Sequence, residues 1–273
     1  MNPKYNKLWK KMIYFSKKRF EFKKLKFIRV KNDKFIENAD ELKKVGYEIF
    51  ENFGLKNMDV KLFIDICAAP GVYTSILLED KKGSRGICVS LPPEKGGVDF
   101  CQLKDKKGVS IFYRDILEKN YKLIIPKKVD LGMASCVSYV FDKKNNSILN
   151  LRLIITSINI ILNELKKGGN LIVNLTMKNI NVCFNIIYIL QSYFQEFRLW
   201  KSKNIWQHQN TFYFFGYKFK NNYNNELNKL KHNLDNLDSN MYHRFLGDFK
   251  SYKIINQKMN EIYNVRINAY QKL

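Results

Sequence analysis

A chain of 273 residues with 45% hydrophobic side chains can bury one sizeable core and carry appendages around it. No apolar run reaches the ~18 residues of a membrane span, and five cysteines without Cys-x-x-Cys spacing offer neither a zinc ribbon nor a disulfide framework. The net charge of +23 calls for a polyanionic partner.

That charge is uneven. Residues 1–34 hold thirteen Lys and Arg against two acids, Glu21 and Asp33. Tyr5, Trp9, Tyr14, Phe15, Phe20, Phe22 and Phe27 stand between the lysines. Cations interleaved with rings suit a nucleic-acid strand, charges meeting phosphates and rings meeting bases. Leu8, Met12 and Phe15 also fall at helical spacing, so the rings can equally dock on the domain. The basic N-terminus has no uninterrupted apolar core of a secretion signal. With cysteines sitting in apolar runs, a reduced, intracellular and cytoplasmic protein is expected.

Asn38 followed by Glu41 has capping-box spacing, and Leu42, Val45, Ile49 and Phe53 predict a helix that Gly54 stops. Leu62 to Ile66 is a short apolar run of the kind a strand buried on both faces shows. Ala68, Ala69, Pro70 and Gly71 are small or turn-forming, so backbone there can pass close to a ligand. A helix over 72–80 follows, and its N-terminus presents free N–H groups. Strands are predicted over 86–90, 109–113, 129–133 and 170–175, with helices over about 147–166 and 181–193. Segments 196–201 and 211–219 read as a closing strand pair. Strands alternating with helices give a parallel, doubly wound α/β sheet with one late antiparallel strand. Beyond the polar link 221–225, Leu227, Leu230, Leu234 and Leu237 and then Ile255, Met259 and Ile262 recur at helical spacing. The expected organisation is a basic aromatic arm (1–35), a central domain (36–220) and a helical C-terminal extension (221–273).

Asp65-x-x-Ala68-Ala69-Pro70-Gly71 resembles the first motif of the FtsJ/RrmJ-type ribose 2′-O-methyltransferases. The segment from Gly86 to Gly97 is similar to the second strand and loop of viral and fungal members, and Gly97-Val98-Asp99-Phe100 and Tyr113-Arg114-Asp115-Ile116 follow in order. The resemblance covers roughly residues 36 to 219. It implies a Rossmann-like S-adenosylmethionine (SAM)-dependent methyltransferase fold, a mostly parallel seven-stranded sheet with helices on both faces. The implied cofactor is SAM or S-adenosylhomocysteine. RNA, at the 5′ end of an mRNA, is the implied partner, with a protein such as a capping-enzyme subunit and no membrane.

The family's cofactor site maps onto the turn Ala68, Ala69, Pro70 and Gly71 with Asp65 beneath it, onto Ser90 for the ribose hydroxyls, and onto Asp115 for the adenine amino group. Val72 replaces a second glycine and is expected to narrow the approach; Ser90 replaces an acid, with Glu94 nearby. The family's Lys-Asp-Lys-Glu tetrad carries over less well. Lys44, with Lys43 beside it, fits the first lysine, but Ser135, Asn174 and Thr211 stand at the other positions. Asp130 enters its strand at the wrong end to substitute, and Lys178 lies past the strand that should hold the base. His208, His232 and His243 stand apart from one another and from any metal-ligand spacing, so no metal is expected. The sequence thus suggests a catalytically degenerate, SAM-binding subunit of a capping or RNA-processing complex, the alternative being an active SAM-dependent RNA 2′-O-methyltransferase.

Overall fold

The computed structural model describes residues 39–118, 121, 123, 125, 127–136, 146–176, 180–205, 207, 209–222, 224, 226–235 and 249–271. The basic arm with Asn38, and Lys178, His208, Leu237 and His243, lie outside these residues. Helix α1 (Ala39–Phe53) ends at Gly54, whose φ of 78° is the left-handed conformation that glycine adopts without strain. A 3-10 turn at Leu55–Asn57 then leads into β1 (Leu62–Ile66). The chain continues through α2 (Val72–Asp80), β2 (Arg85–Ser90), β3 (Val109–Tyr113), β4 (Val129–Ala134) and α3 (Asn146–Glu164). After these come β5 (Leu165–Thr176), α4 (Ile180–Tyr193), β6 (Phe194–Trp200), β7 (Thr211–Phe219), α5 (Glu226–Asp235) and α6 (Phe249–Gln271).

The strands form one seven-stranded sheet in the order β3-β2-β1-β4-β5-β7-β6. Strands β1 to β5 run parallel, and β7 is antiparallel to both β5 and β6. Alternation along the strands divides the core. On one face Phe63, Met133, Ile172 and Phe215 meet Val45, Ile49 and Phe53 of α1 and Ile76 of α2. On the other, Ile64, Val173 and Phe214 meet Ile155 of α3 and Ile187 of α4. Leu227 of α5 and Ile255, Met259 and Ile262 of α6 join that second core, so the C-terminal helices pack back on the sheet.

The helix–strand boundary near residue 165 differs from the sequence reading. Strand β5 begins at Leu165, not near 170, because its register with β4 jumps from Val129↔Leu165 to Leu131↔Asn170. Lys166 to Gly169 loop out between those pairs, with Gly168 at a φ of 80°. Lys-Lys-Gly-Gly reads as a helix stop, and nothing in a periodicity reveals a bulge already paired on both sides. Asp130 pins this corner: its Oδ2 accepts the Lys61 and Leu62 amides at 2.8 Å each, and its other oxygen pairs with the Lys166 ammonium. Burial alone would raise the Asp130 carboxyl, but the Lys166 ammonium and the two amides outweigh it and hold it below the ordinary carboxylate range.

Gly132 lets β4 lie directly on α3, since a Cβ there would stand 2.0 Å from Ile161 Cγ2. Gly132→Ala is expected to cost about 1–3 kcal/mol in denaturant unfolding. Ile161→Leu in the same chain should recover part of the loss, because it removes the methyl group from Cβ; full stability of the single variant would mean that α3 shifts away freely.

Candidate active site

The chain leaves β1 through a sharp turn at the C-terminal end of the sheet. Cys67 takes a φ of 62°, and the amides of Cys67 and Ala68 both donate to Val89 O of β2, at 2.7 and 3.2 Å. The Ala69–Pro70 peptide is cis, and Gly71 closes the turn with its N–H on Ala68 O at 2.7 Å. Gly71 is constrained twice: its φ is 94°, and a Cβ would stand 2.4 Å from Leu103 Cγ. It also begins α2, whose first turn has no side-chain cap, so the leading amides face the turn. Val72 does not narrow this approach as expected. Its side chain is buried beneath α2 in the core that contains Val45, Ile49 and Ile76.

Asp65 lies under the turn, 1% exposed. Its Oδ2 accepts the Thr74 hydroxyl at 2.8 Å, while its Oδ1 is buried with no hydrogen-bond partner among the described residues. Burial pushes this carboxyl up to about 7, the Thr74 hydroxyl pulling only partly against it. A buried carboxylate oxygen with no donor is the atom a cationic or hydroxyl-bearing ligand would satisfy.

Ser90 is buried at the end of β2, and its carbonyl accepts the Arg114 amide at 2.8 Å, tying it to the residues after β3. Asp115 is half-buried there, with Oδ1 accepting the Leu117 amide at 2.9 Å. Glu94 is exposed on a short 3-10 turn, Pro93–Lys95. Lys95 from that turn pairs with Glu118 at 2.8 Å, linking the loops that follow β2 and β3. Tyr113 donates its hydroxyl to Asp99 and sets its ring edge-on to Phe100, 5.4 Å between centroids. Asp65, the Ala68–Gly71 turn, Ser90 and Asp115 thus stand on adjacent strand ends, and they could together hold an adenosyl amino acid.

Strands β4, β5 and β7 also reach this end of the sheet. Ser135 follows β4, its amide on Ile66 O at 3.3 Å, and the parallel register Ala134↔Val173 sets it level with Asn174. Asn174 pairs across β5 and β7 with Tyr213, while Thr211 pairs with Thr176, one step further out on the same face. The buried Tyr213 hydroxyl lies 3.3 Å from that of Tyr73, which comes from α2. Burial, then the neighbouring Tyr73, lift the Tyr213 phenol well above its ordinary value. Lys44 is exposed on α1, one turn from Glu48, whose carboxylate accepts the Ser202 hydroxyl at 2.6 Å and the Asn204 amide at 2.9 Å beyond β6. Lys43 is close enough to α2 to add slightly to the Lys106 ammonium in holding Glu79 low.

The sequence reading missed Tyr73 and Tyr213, which are 140 residues apart. Their only signal was Tyr213 standing two residues from Thr211 on one strand, which becomes informative once the register is known. It also missed a thiol cluster behind the turn. Cys136 Sγ lies 2.6 Å from Ser157 Oγ, and the Cys136 contact and burial raise the Cys67 thiol well above its usual value, leaving it unreactive. All five cysteines are free. His232 is exposed on α5, and among the described residues no group of three His, Cys, Asp or Glu could hold a metal ion.

The sheet order, the antiparallel β7 and a ligand-ready turn after β1 define a Rossmann-like methyltransferase fold. The family model of the FtsJ-like methyltransferases matches residues 47–219, and the chain belongs to that family. Among solved structures it is similar to a Plasmodium falciparum protein provisionally named a ribosomal RNA methyltransferase. That match has 18% identity and a TM-score of 0.47, over 67% of this chain and 96% of the other. It is also similar to the N-methyltransferase NodS of Bradyrhizobium japonicum, with 17% identity and a TM-score of 0.45 over 66% and 97% of the two chains. A third similar structure is a fibrillarin/Nop5p complex, with 13% identity and a TM-score of 0.43 over 60% and 78%. Comparison with curated proteins gave no match.

Folded Asp65 keeps its proton from the ordinary carboxylate range, near 4, up to about 7. The stability this contributes is complete below pH ~4 and is lost as pH rises through 7, roughly 3–5 kcal/mol at the limit. Asp65→Asn should therefore flatten the difference in unfolding free energy between pH 4.5 and 7.5. Parallel pH profiles for wild type and variant would show that Asp65 is hydrated.

Proposed function

We propose that this chain is a SAM- and RNA-binding member of its family that has lost ribose methyl transfer and serves as a subunit of an mRNA-capping or RNA-processing assembly. The observation that carries the reading is the pairing of Asn174 with Tyr213, whose buried hydroxyl meets Tyr73. An amide is no base, and a phenol lifted well above its ordinary value cannot take a ribose proton near neutrality. Ser135 and Thr211, at the other two positions, supply no carboxylate to orient a base.

The cofactor end supports binding. SAM, when bound, supplies a methyl group activated by its sulfonium. The free oxygen of Asp65 is suited to its ammonium, Ser90 to a ribose hydroxyl and Asp115 to the adenine amino group. The family and the +23 charge support RNA as the partner. The alternative is an active 2′-O-methyltransferase that uses Lys44 or Lys178, and it is separated by chemistry alone.

Calorimetry with S-adenosylhomocysteine and methyl transfer to capped RNA on one preparation form the test. Binding is expected, weakened by Asp115→Ala, with no transfer above background. A positioned base supplies about 10²–10⁴-fold, so its loss places transfer below ordinary assay noise. Ser135→Asp with Asn174→Lys should bring transfer into view; the two belong together because either charge alone at these half-buried positions would lack its partner. Robust wild-type transfer abolished by Lys44→Ala or Lys178→Ala would overturn the reading.

Removing residues 1–34 takes away thirteen cations and two acids. The plot of log affinity against log salt is expected to become shallower, since counterion release scales with phosphates neutralised. An unchanged slope would leave the arm no part in RNA binding.

A further inference from the structure

The end of the sheet opposite the cofactor turn carries a row of exposed cations. Strands β1 to β5 begin at that end and β7 finishes there. In sheet order the row runs from Lys107 ahead of β3 to Arg85 opening β2, Lys127 ahead of β4, Lys167 in the β5 bulge and Lys218 near the end of β7. All five are exposed, and among the described residues none of them is in an ion pair. β1 adds Lys61, 3.5 Å from Asp59. Four acids at the same end are matched by other lysines, Glu79 by Lys106, Asp80 by Lys81, Asp130 by Lys166 and Glu164 by Lys128. Asp105, two residues from Lys107, and Glu196, opposite Tyr217, are in no ion pair among the described residues. The five unpaired cations outnumber those two acids, so the row stays net positive.

Helix ends do not account for it. Lys81 and Lys82 follow α2 and Lys166 follows α3, where a cation complements the helix C-terminus. Arg85, Lys107, Lys127 and Lys218 stand in loops and strands that end no helix. Neighbouring strands lie ~4.8 Å apart, so β3 to β7 spans about 24 Å, over which one strand of a duplex presents about seven phosphates. Among the described residues the exposed large apolar side chains, Tyr47, Ile111, Phe112, Tyr113 and Ile254, lie outside these loops and give the row none to insert into a lipid surface. A regular file of charges suits a repeating polyanion better than the irregular acids of a protein surface.

We propose that this strand edge is a second RNA-contact surface, one that follows the sugar–phosphate backbone without reading sequence. It rests on RNA as the partner named above and requires neither cofactor binding nor transfer.

The test uses the full chain and a labelled oligouridylate, with affinity measured across salt. The variant is Arg85→Gln/Lys107→Gln/Lys127→Gln/Lys167→Gln/Lys218→Gln. The expected result is a loss of ~10-fold or more at 0.1 M salt and a slope shallower by about 3.5, at 0.7 per contact for a single strand. The S-adenosylhomocysteine titration should not change. A wild type that binds alongside an unchanged variant overturns the edge and leaves RNA binding standing. A wild type that does not bind oligouridylate overturns the RNA reading and the edge with it. Binding of polyglutamate or anionic vesicles that the variant loses, while RNA binding persists, assigns the edge elsewhere and overturns the proposal. Should the fivefold variant unfold, Lys107→Gln with Lys218→Gln, at the two ends of the row, tests the same surface through a slope change of about 1.4. An unchanged slope in that pair overturns the edge equally.

Discussion

The way the chain leaves β1 governs the C-terminal end of the sheet. Two successive amides, of Cys67 and Ala68, converge on one carbonyl of β2, which turns the backbone away from the strand direction before α2 can start. That turn closes only because Gly71 accepts a left-handed φ in a space that Leu103 leaves for no side chain. Once α2 is placed, Thr74 comes over Asp65 and takes one of its oxygens, and the core around Val72 and Ile76 holds the helix down. The other oxygen is then stranded by the same geometry. A carboxylate in that position is costly to an empty protein, and the fold carries the cost through protonation instead of through a partner.

The sheet keeps the unpaired oxygen of Asp65 and its mechanical fastening at opposite ends. At the strand starts, Asp130 collects two amides and the Lys166 ammonium, tying β1, β4 and the β5 bulge into one corner. At the strand ends the polar groups are mostly spoken for locally: Asp115 by Leu117, Asp99 by Tyr113, and Glu48 by the residues beyond β6. Among the described residues Asp65 Oδ1 and the Tyr121 hydroxyl, the latter near Cys67 and Arg114, are the buried exceptions at this end.

Most of the architecture was legible because each buried strand reads as an apolar run and each helix as a period near 3.6. β1, α2, β3 and β7 match the sequence reading in both type and extent. The tight turn after β1 was legible too, since small residues followed by Gly71 have a direct backbone meaning. What stayed hidden depended on register. The bulge at Lys166–Gly169 and the pairing of Asn174 with Tyr213 are facts about which residue lies opposite which, and one strand's pattern does not contain its partner's. Val72 misled for a related reason: the sequence told its size but not which side of α2 it would face.

Register also bears on how such a site could become neutral without harming the fold. A lysine at position 174 and a carboxylate beside it would stand at half-buried positions, where an ion pair contributes little to stability. Asn174 beside Tyr213, with Tyr213 bonded to Tyr73, fills the same space with groups that need only ordinary hydrogen bonds. Nothing in the core depends on charge there: Met133, Ile172 and Phe215 around it are apolar and buried. Stability therefore exerts no pull toward keeping the charged set, whereas the turn after β1 cannot be relaxed without moving α2. On the proposed reading, this asymmetry lets the catalytic end turn neutral while the cofactor end persists, since only the second is built into the fold.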